Sequence, residues 1–207
     1  QGYFCVDTET TSLNELEANL VGIALSVEPG KSCYIPINHK KNSASTETLF
    51  EETSAEDPSQ LTQTEVLRVL KPLLEADTIL KIGQNIKYDI KIFKKVGINL
   101  TCIDDTMLLS YTLHGGLHRH NMHTLSELYL NHEPIKIQSL LGTGKTSKTF
   151  DMVPINSAAP YAAEDADITL RLWLIFKQKL VKSNMTEVYE SMERPMVKLL
   201  AELELKG

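Results

Sequence analysis

The sequence is poor in cysteine, contains no long apolar run and has no excess of basic residues. Its three cysteines, Cys5, Cys33 and Cys102, are far apart and without CxxC spacing, which indicates reduced core thiols rather than a disulfide framework or a zinc site. No uninterrupted apolar stretch approaches the ~20 residues of a membrane span, and the first residues lack the basic and apolar regions of a signal peptide. We therefore expect a cytoplasmic chain that has no membrane partner.

The charge balance limits how the chain could bind nucleic acid. It has 27 acidic and 21 basic residues and a net charge of -6, whereas proteins that hold nucleic acid by charge alone usually show a basic surface. A protein that reaches a phosphate backbone through bound metal ions is not excluded. With 207 residues, of which 42% are apolar, the chain can form one domain, or one domain with an appendage.

The order of the hydrophobic patterns predicts an α/β fold. Strands are predicted at Tyr3 to Asp7, Leu20 to Val27, Cys33 to Ile37 and Thr78 to Ile82, and helices are predicted to begin near Thr64, Ile86, Thr106, Met122 and Pro160. The turn sequence EPGKS indicates an antiparallel hairpin between the second and third strands, so the sheet should be mixed. Residues 40–60, rich in Ser, Thr and Glu, are predicted to form a solvated surface loop.

Two acidic residues share one face of the first predicted strand. Side chains alternate along a strand, so Asp7 and Glu9 point to one side while Thr8 between them points to the other. Carboxylates that close repel each other, and burial of their charge is costly unless a positive group compensates. The strand therefore indicates a site for a cation.

Two more acids lie on the apolar faces of predicted helices. The spacing in GQNIKYDIKIFKKVG places Asp89 on the same core-facing stripe as Asn85. The spacing in PYAAEDADITLRLWLIF places Asp165 on a core-facing stripe with Tyr161. Asp167 lies about 200° further round that helix, so it should be an ordinary solvated acid.

Each of these acids, taken singly, has an ordinary interpretation. Acidic residues near a helix N-terminus commonly cap the helix or interact with its dipole. Four carboxylates at the polar ends of three buried stripes are harder to explain in this way, because their mutual repulsion would raise their pKa values or destabilise the fold. An all-oxygen ligand set suits a hard divalent cation, so the sequence predicts bound Mg²⁺ or Mn²⁺, with Zn²⁺ as an alternative.

Two other polar features have different interpretations. The segment HGGLHRHNMH contains His114, His118, His120 and His123, but no cysteine or clear helix fixes their geometry, so it indicates a surface loop rather than a zinc site. This loop could contact phosphate together with Arg119. Asp105, directly before TMLLSY, is predicted to be the N-cap of a helix.

Three ordered motifs carry a resemblance to a known family. VDTETTSL, GQNIKYD and YAAEDAD resemble the three exonuclease motifs of the DEDD superfamily, in the subgroup with a tyrosine in the third motif. Within that superfamily the chain is most similar to the proofreading domain of family A bacterial DNA polymerases, the polymerase I type. The similarity includes the flanking segments VGIALSVEPGKSCYIPI, LKPLLEAD, DDTMLLSYTL and MERPMVKLLAELELKG, so it extends over nearly the whole chain.

The resemblance implies a ribonuclease H-like mixed β-sheet flanked by α-helices, and a 3'-5' exonuclease that removes 5'-mononucleotides from DNA by two-metal-ion hydrolysis. The matching carboxylates are Asp7, Glu9, Asp89 and Asp165, and the matching tyrosine is Tyr161. One metal would be held by Asp7, Glu9 and Asp165 and would activate a water that Tyr161 orients. A second metal, near Asp7, would stabilise the leaving 3' oxygen, and Asp89 would act on it through water.

The resemblance also implies substrate and partner contacts. The positions that match residues gripping the last nucleotides of single-stranded DNA, or of frayed DNA 3' ends, are Leu13, Gln84, Asn85 and Phe150. Residues 1–190 would form the exonuclease domain. Residues 191–207 would begin the junction to a polymerase domain of the same full-length chain.

Two alternative functions remain open from the sequence. A ribonuclease D-like 3'-5' exoribonuclease would share the motifs, although the flanking segments and the truncated junction favour the polymerase-associated family. A domain that binds 3' ends without cleaving them would be expected to have lost motif carboxylates, and all four are present here.

Overall fold

The fold is built on one five-stranded mixed sheet. Its strands are β1 (Tyr3–Thr10), β2 (Leu20–Glu28), β3 (Lys31–Pro36), β4 (Leu80–Gly83) and β5 (Ile103–Asp105), in the spatial order β3-β2-β1-β4-β5. β1 pairs antiparallel with β2 and parallel with β4, and β2 and β3 form the predicted antiparallel hairpin. The structure, a computed structural model, describes residues 2–40, 60–144 and 147–206, so most of the predicted surface loop at 40–60 lies outside the described residues.

Helices cover both faces of this sheet. They are α1 (Gln63–Leu74), α2 (Ile86–Lys95), α3 (Thr106–His114), α4 (Met122–Leu130), α5 (Ile137–Leu141), α6 (Ile155–Lys182), α7 (Thr186–Val188) and α8 (Arg194–Lys206). A 3₁₀ turn at Phe150–Met152 precedes α6, and a π-helical turn at Tyr189–Glu193 joins α7 to α8. Among the described residues, no helix is both long and apolar enough to cross a lipid bilayer.

The alternation of side chains along β1 separates two hydrophobic cores. Val6 points to the face that packs against α1, α2 and α8, whereas Cys5 points to the face covered by α3, α4 and α6. By the same alternation, Asp7 and Glu9 lie on the α6 side and Thr8 lies on the α2 side. The end of β1 is therefore accessible to side chains from both helix layers.

Most of the predicted elements are present, and three predictions need correction. α6 begins at Ile155 rather than Pro160, so Pro160 lies in the second turn of the helix and removes one of its early backbone hydrogen bonds. Cys33 is exposed on the edge strand β3 and is not a core thiol. The sequence pattern also missed β5, because two of its three residues, Asp104 and Asp105, are acidic.

Asp105, predicted to be an N-cap, caps two helices. Its Oδ1 accepts hydrogen bonds from the backbone N–H of Met107 at 2.8 Å, in α3, and of Asn85 at 3.0 Å, just before α2. Its Oδ2 accepts the N–H of Ile86 at 3.0 Å. Burial raises the pKa of Asp105 to about 6, and the N–H groups oppose this rise. The double cap fixes the start of α2, and hence Asp89, relative to the sheet.

The last helix belongs to the same packed unit as the sheet. Val197 and Ala201 of α8 are buried in the core that contains Val6. α8 therefore contributes to the stability of the domain. The division of the chain into 1–190 and 191–207 stays a prediction.

Candidate active site

Three carboxylates meet near the carboxyl end of β1. Asp7 and Glu9 project from the strand, and Asp165 is a buried residue of α6, the helix that packs on that side of the sheet. One oxygen atom from each carboxylate lies within 4.8 Å of the other two. Within residues 2–40, 60–144 and 147–206, no other group of three or more histidine, cysteine or acidic side chains is close enough to share one metal ion.

Burial and mutual repulsion disfavour the charged forms of these acids. Burial raises the pKa of Asp7 to about 6. Burial, and then the charges of Asp7 and Asp165, raise the pKa of Glu9 well above its usual value. Burial and the charge of Asp7 also raise the pKa of Asp165, and a hydrogen bond from Tyr161 only partly offsets this rise. A cation placed between the three carboxylates would relieve the repulsion.

Asp89 reaches the site from the opposite face of the sheet. It is buried on α2, and its Oδ1 accepts hydrogen bonds from the backbone N–H of Thr8 at 3.0 Å and from the Thr8 hydroxyl at 2.6 Å. Burial, and then the charge of Asp7, raise the pKa of Asp89, while the hydrogen bonds from Thr8 lower it. Asp7, Glu9 and Asp165 are called the three-acid group below. Asp89 is thus fixed beside this group without being one of its members.

Tyr161 lies one helical turn before Asp165 and faces the same site. Its ring is half-buried and packs 5.9 Å, between centroids, from the ring of Phe150. Burial, followed by the charges of Asp165 and Glu9, raises the pKa of the Tyr161 hydroxyl far above its ordinary value. The phenol therefore stays protonated and can donate a hydrogen bond.

A cleft of about 320 Å³ opens beside the three-acid group, and Glu9, Leu13, Phe150 and Tyr161 are among the residues that line it. Leu13 and Phe150, both predicted to contact the terminal nucleotides, contribute to this cleft in different ways. Leu13 is 94% exposed, so its side chain projects freely at the mouth. Phe150 is only 3% exposed and forms part of the wall.

The other two predicted nucleotide contacts, Gln84 and Asn85, lie at the start of α2. The Gln84 amide donates to the carbonyl oxygen of His120 at 2.8 Å and accepts from the Thr106 hydroxyl at 2.5 Å, so it holds neighbouring segments together. Asn85 is exposed, and the prediction that it shares the buried stripe of Asp89 is wrong. As the N-cap it has a left-handed backbone (φ 58°), which removes it from the helical periodicity, and its side chain makes no capping hydrogen bond.

Two residues that the sequence analysis did not single out also shape the site. Thr8 orients Asp89, and its position between Asp7 and Glu9 could have suggested this. Tyr34 of β3 lies over Gly22 of β2, where an added Cβ would fall 2.1 Å from the Tyr34 hydroxyl oxygen. A glycine inside a strand often marks such a close approach. Glu9 is the β1 residue opposite Gly22 in the register, so Tyr34 packs next to the site.

Asp167 is not part of the three-acid group, in agreement with the predicted orientation. The prediction that it is an ordinary solvated acid is wrong. Its carboxylate accepts the backbone N–H of Gly30 at 2.6 Å and pairs with Arg171 at 2.7 Å. Asp167 therefore fastens α6 to the turn between β2 and β3.

The histidine-rich segment forms a cluster of rings near the start of α4. The His118 ring lies 5.5 Å from that of His114 and 5.0 Å from that of His120. Nitrogen atoms of His114 and His118 each lie 3.2 Å from the Tyr129 hydroxyl. These nitrogens take part in hydrogen bonds within the protein, and a contact between Arg119 and phosphate stays a prediction.

We expect the metal-free protein to become more stable as the pH falls from about 7.5 to about 5.5. The pKa of Asp7 is about 6 in the folded state, above the ordinary 3.8, so the folded state takes up a proton in this range that the unfolded state does not. The pKa values of Glu9 and Asp165 are raised in the same direction. Burial lowers the pKa values of His114 and His120, and these two groups oppose the trend. The measurement is the melting temperature in chelator at several pH values. Saturating Mg²⁺ keeps the carboxylates ionised and should remove their part of the trend, so a pH dependence that is the same with and without Mg²⁺ would contradict the raised pKa values.

Curated proteins with similar sequences are DNA polymerases. The DNA polymerase I of Rhizobium leguminosarum is 41% identical over 215 residues, which cover 100% of this chain and 21% of that protein. The DNA polymerase I of Pseudomonas aeruginosa is 38% identical over 205 residues, which cover 97% of this chain and 21% of that protein. The chain thus spans about a fifth of the length of these relatives.

Solved structures of nucleases share the fold. The structure of Brucella melitensis NrnC with bound Mg²⁺ has a TM-score of 0.71 to this chain at 20% sequence identity, and covers 100% of this chain and 86% of NrnC. This similarity confirms the predicted ribonuclease H-like fold, a mixed sheet flanked by helices.

The family model described as 3'-5' exonuclease, from the A-type DNA polymerases, matches residues 1–181. Together with the sequence identity to the two polymerases, this match shows that the chain belongs to the 3'-5' exonuclease family of A-type DNA polymerases.

Proposed function

We propose that this exonuclease removes 5'-mononucleotides from the 3' ends of single-stranded or frayed DNA by hydrolysis that requires two divalent metal ions. The observation that carries the proposal is the group formed by Asp7, Glu9 and Asp165, whose oxygens lie within 4.8 Å of one another. All three residues lie within residues 1–181, the part of the chain that the family model matches. In a proofreading enzyme this reaction removes a misincorporated terminal nucleotide.

The donor set fits a hard divalent cation. All three groups offer oxygen. Burial raises their pKa values, repulsion from neighbouring acids adds to this rise for Glu9 and Asp165, and a bound cation would favour the charged forms. Asp7, Glu9 and Asp165 would hold one ion of Mg²⁺ or Mn²⁺, with Zn²⁺ as an alternative, and Asp7 would also face the second. When bound, such ions lower the pKa of water and stabilise charge on the attacking and leaving oxygens.

The other side chains of the site would position the reacting groups. The protonated Tyr161 hydroxyl, which hydrogen bonds to Asp165, would also hydrogen bond to the attacking water. Asp89 is held by two hydrogen bonds from Thr8 and lies outside the three-acid group, which suits contact with the second ion through a water molecule.

The cleft favours unpaired nucleotides. Leu13 presents an apolar side chain at its mouth, and Phe150 and Tyr161 supply aromatic surface in its wall. Apolar and aromatic groups contact the faces of bases that have left the stack. The net charge of -6 suits an enzyme that grips a few terminal nucleotides rather than a long duplex.

The proposed partner within the protein is a polymerase domain. The DNA polymerases I that resemble this chain are about five times as long as the part that it covers, and a DNA end released from a polymerase domain is a suitable substrate for the site described here. The cytoplasmic location stays a prediction from the sequence.

Digestion of single-stranded DNA that carries a label on its 3' nucleotide tests the proposal. We expect release of a labelled 5'-mononucleotide in Mg²⁺ and no release in excess chelator. A mismatched duplex end should be digested faster than a matched one, because it frays more readily. Cleavage at full rate in chelator would refute the metal-dependent mechanism, and a strong preference for an RNA oligomer of the same sequence would favour the ribonuclease D-like alternative.

A further inference from the structure

The loop that carries Leu13 is attached to α2 along one side. This loop, residues 11–19, connects β1 to β2 and is called the Leu13 loop below. Three polar residues of α2, Tyr88, Lys91 and Lys95, contact it. Their spacing of i, i+3 and i+7 places them on one face of the helix. The same helix carries Asp89.

The three residues of α2 contact both the backbone and one side chain of the Leu13 loop. The Tyr88 hydroxyl donates to the carbonyl oxygen of Ser12 at 2.6 Å. The Lys91 ammonium forms an ion pair with Glu15. The Lys95 ammonium donates to the carbonyl oxygens of Glu15, Leu16 and Ala18 at 2.9, 3.0 and 2.5 Å. The loop backbone is therefore fastened on both sides of Leu13.

Lys91 is an unusually buried cation. Its side chain is 4% exposed, and it pairs with Glu15 of the Leu13 loop and with Glu204 of α8, the latter at 2.6 Å. Burial lowers its pKa, but the hydrogen bonds to these two glutamates outweigh that effect and the net shift is upward. A buried charge needs its partners, and one of the two carboxylates that Lys91 contacts comes from the Leu13 loop.

The result of these contacts is a leucine that stays out of the core. Leu13 lies between Ser12, which is held by Tyr88, and Glu15, which is held by Lys91. It is 94% exposed at the mouth of the cleft. An isolated apolar side chain on an unattached loop could turn away from this position. The attachments to α2 restrict the loop to the conformation in which Leu13 faces an entering strand.

We propose that Lys91 and Lys95 are positioning residues that hold the Leu13 loop ready for a DNA 3' end, and that the Lys91–Glu15 ion pair thereby sets the affinity for unpaired termini. The inference rests on the proposed function and adds residues remote from the reacting atoms. A pre-ordered loop loses less entropy when it binds, so the ion pair acts on substrate affinity and leaves the hydrolytic step unchanged.

The two glutamates that share Lys91 provide a matched pair of variants. Glu15→Gln removes the carboxylate on the Leu13 loop, and Glu204→Gln removes the one on α8. Both changes take one negative charge from Lys91, and Glu204→Gln also removes the partner of Lys87. We expect Glu15→Gln to raise KM for single-stranded DNA by roughly 3- to 10-fold with kcat unchanged, and Glu204→Gln to leave both unchanged. The melting temperature of each variant shows whether the two substitutions cost similar stability.

A double-mutant cycle with Leu13→Ala tests whether the ion pair changes KM through the position of Leu13. If the ion pair acts by placing Leu13, Glu15→Gln should raise KM no further in a Leu13→Ala background. Lys95→Met, which removes the second attachment, should show the same dependence on Leu13. Equal KM values for the Glu15→Gln and Glu204→Gln proteins, or additive effects of Glu15→Gln and Leu13→Ala, would refute the inference. Failure of the wild-type protein to cleave DNA in Mg²⁺ would instead refute the proposed function.

Discussion

Asp7→Ala should lower the rate of 3'-end cleavage by at least about 10³-fold while leaving the fold intact. The charge of Asp7 contributes to the raised pKa values of Glu9, Asp89 and Asp165, so Asp7 is the acid that all the others face. A metal clamp stabilises a transition state by several kcal/mol, and each ~1.4 kcal/mol corresponds to a tenfold change in rate. The measurement is single-turnover cleavage of 3'-labelled DNA at saturating Mg²⁺. In chelator the variant should melt at a higher temperature than the wild type, because repulsion between the acids is relieved.

Asp167→Ala is the matched control for this experiment. Asp167 lies on the same helix as Asp165, but it bonds to Gly30 and Arg171 instead of joining the three-acid group. Its loss should reduce stability slightly and leave the cleavage rate close to that of the wild type. Near wild-type cleavage by the Asp7→Ala protein, or an inactive Asp167→Ala protein that is still folded, would show that the site has been assigned to the wrong residues.

Asp165→Ala should be as damaging as the loss of Asp7, whereas Tyr161→Phe should cause only a partial defect. Asp165 supplies one of the three carboxylates, so its removal takes away both a ligand and a charge. Tyr161→Phe keeps the ring that packs against Phe150 and removes one hydroxyl. Positioned acid or base groups contribute ~10²–10⁴-fold, and a group that only orients water should fall at or below the lower end of that range.

Metal affinity, measured alongside the single-turnover rates, separates these two roles. The Asp165→Ala protein should bind Mg²⁺ or Mn²⁺ more weakly, and the Tyr161→Phe protein should bind it like the wild type. If Tyr161→Phe is as inactive as Asp165→Ala while its metal affinity is normal, the tyrosine takes part in proton transfer and does more than orient water.

The acids on regular elements could be placed from the sequence. Alternation along a strand puts Asp7 and Glu9 on one side, and helical spacing puts Asp165 on the face that packs against the sheet. The helical spacing also predicted that Asp89 is buried, and in α2 it is. It could not show that Asp89 arrives from the other face of the sheet, because that depends on which helix covers which side.

The residues that escaped prediction are those whose environment depends on distant parts of the chain. Asn85 leaves the helical stripe because Asp105 caps the helix at that point and the backbone is left-handed. β5 carries two aspartates. Asp104 can be buried because Trp173 donates a hydrogen bond to its carboxylate and Lys177 forms an ion pair with it. Local patterns contain no information about such partners, which are brought together only by the fold.

The acids of the site come from one strand and from helices on both faces of the sheet, which has a consequence for how the enzyme is made. β1 is synthesised well before α6, the helix that carries Asp165. Contacts between residues so far apart in sequence form late in folding, because they close a long loop of chain. The carboxylates therefore do not come together, or repel one another, until both hydrophobic cores can compensate for the repulsion. A nascent or partly unfolded chain would accordingly be unable to assemble the proposed metal site, and we expect the nuclease to gain activity only when the domain is complete.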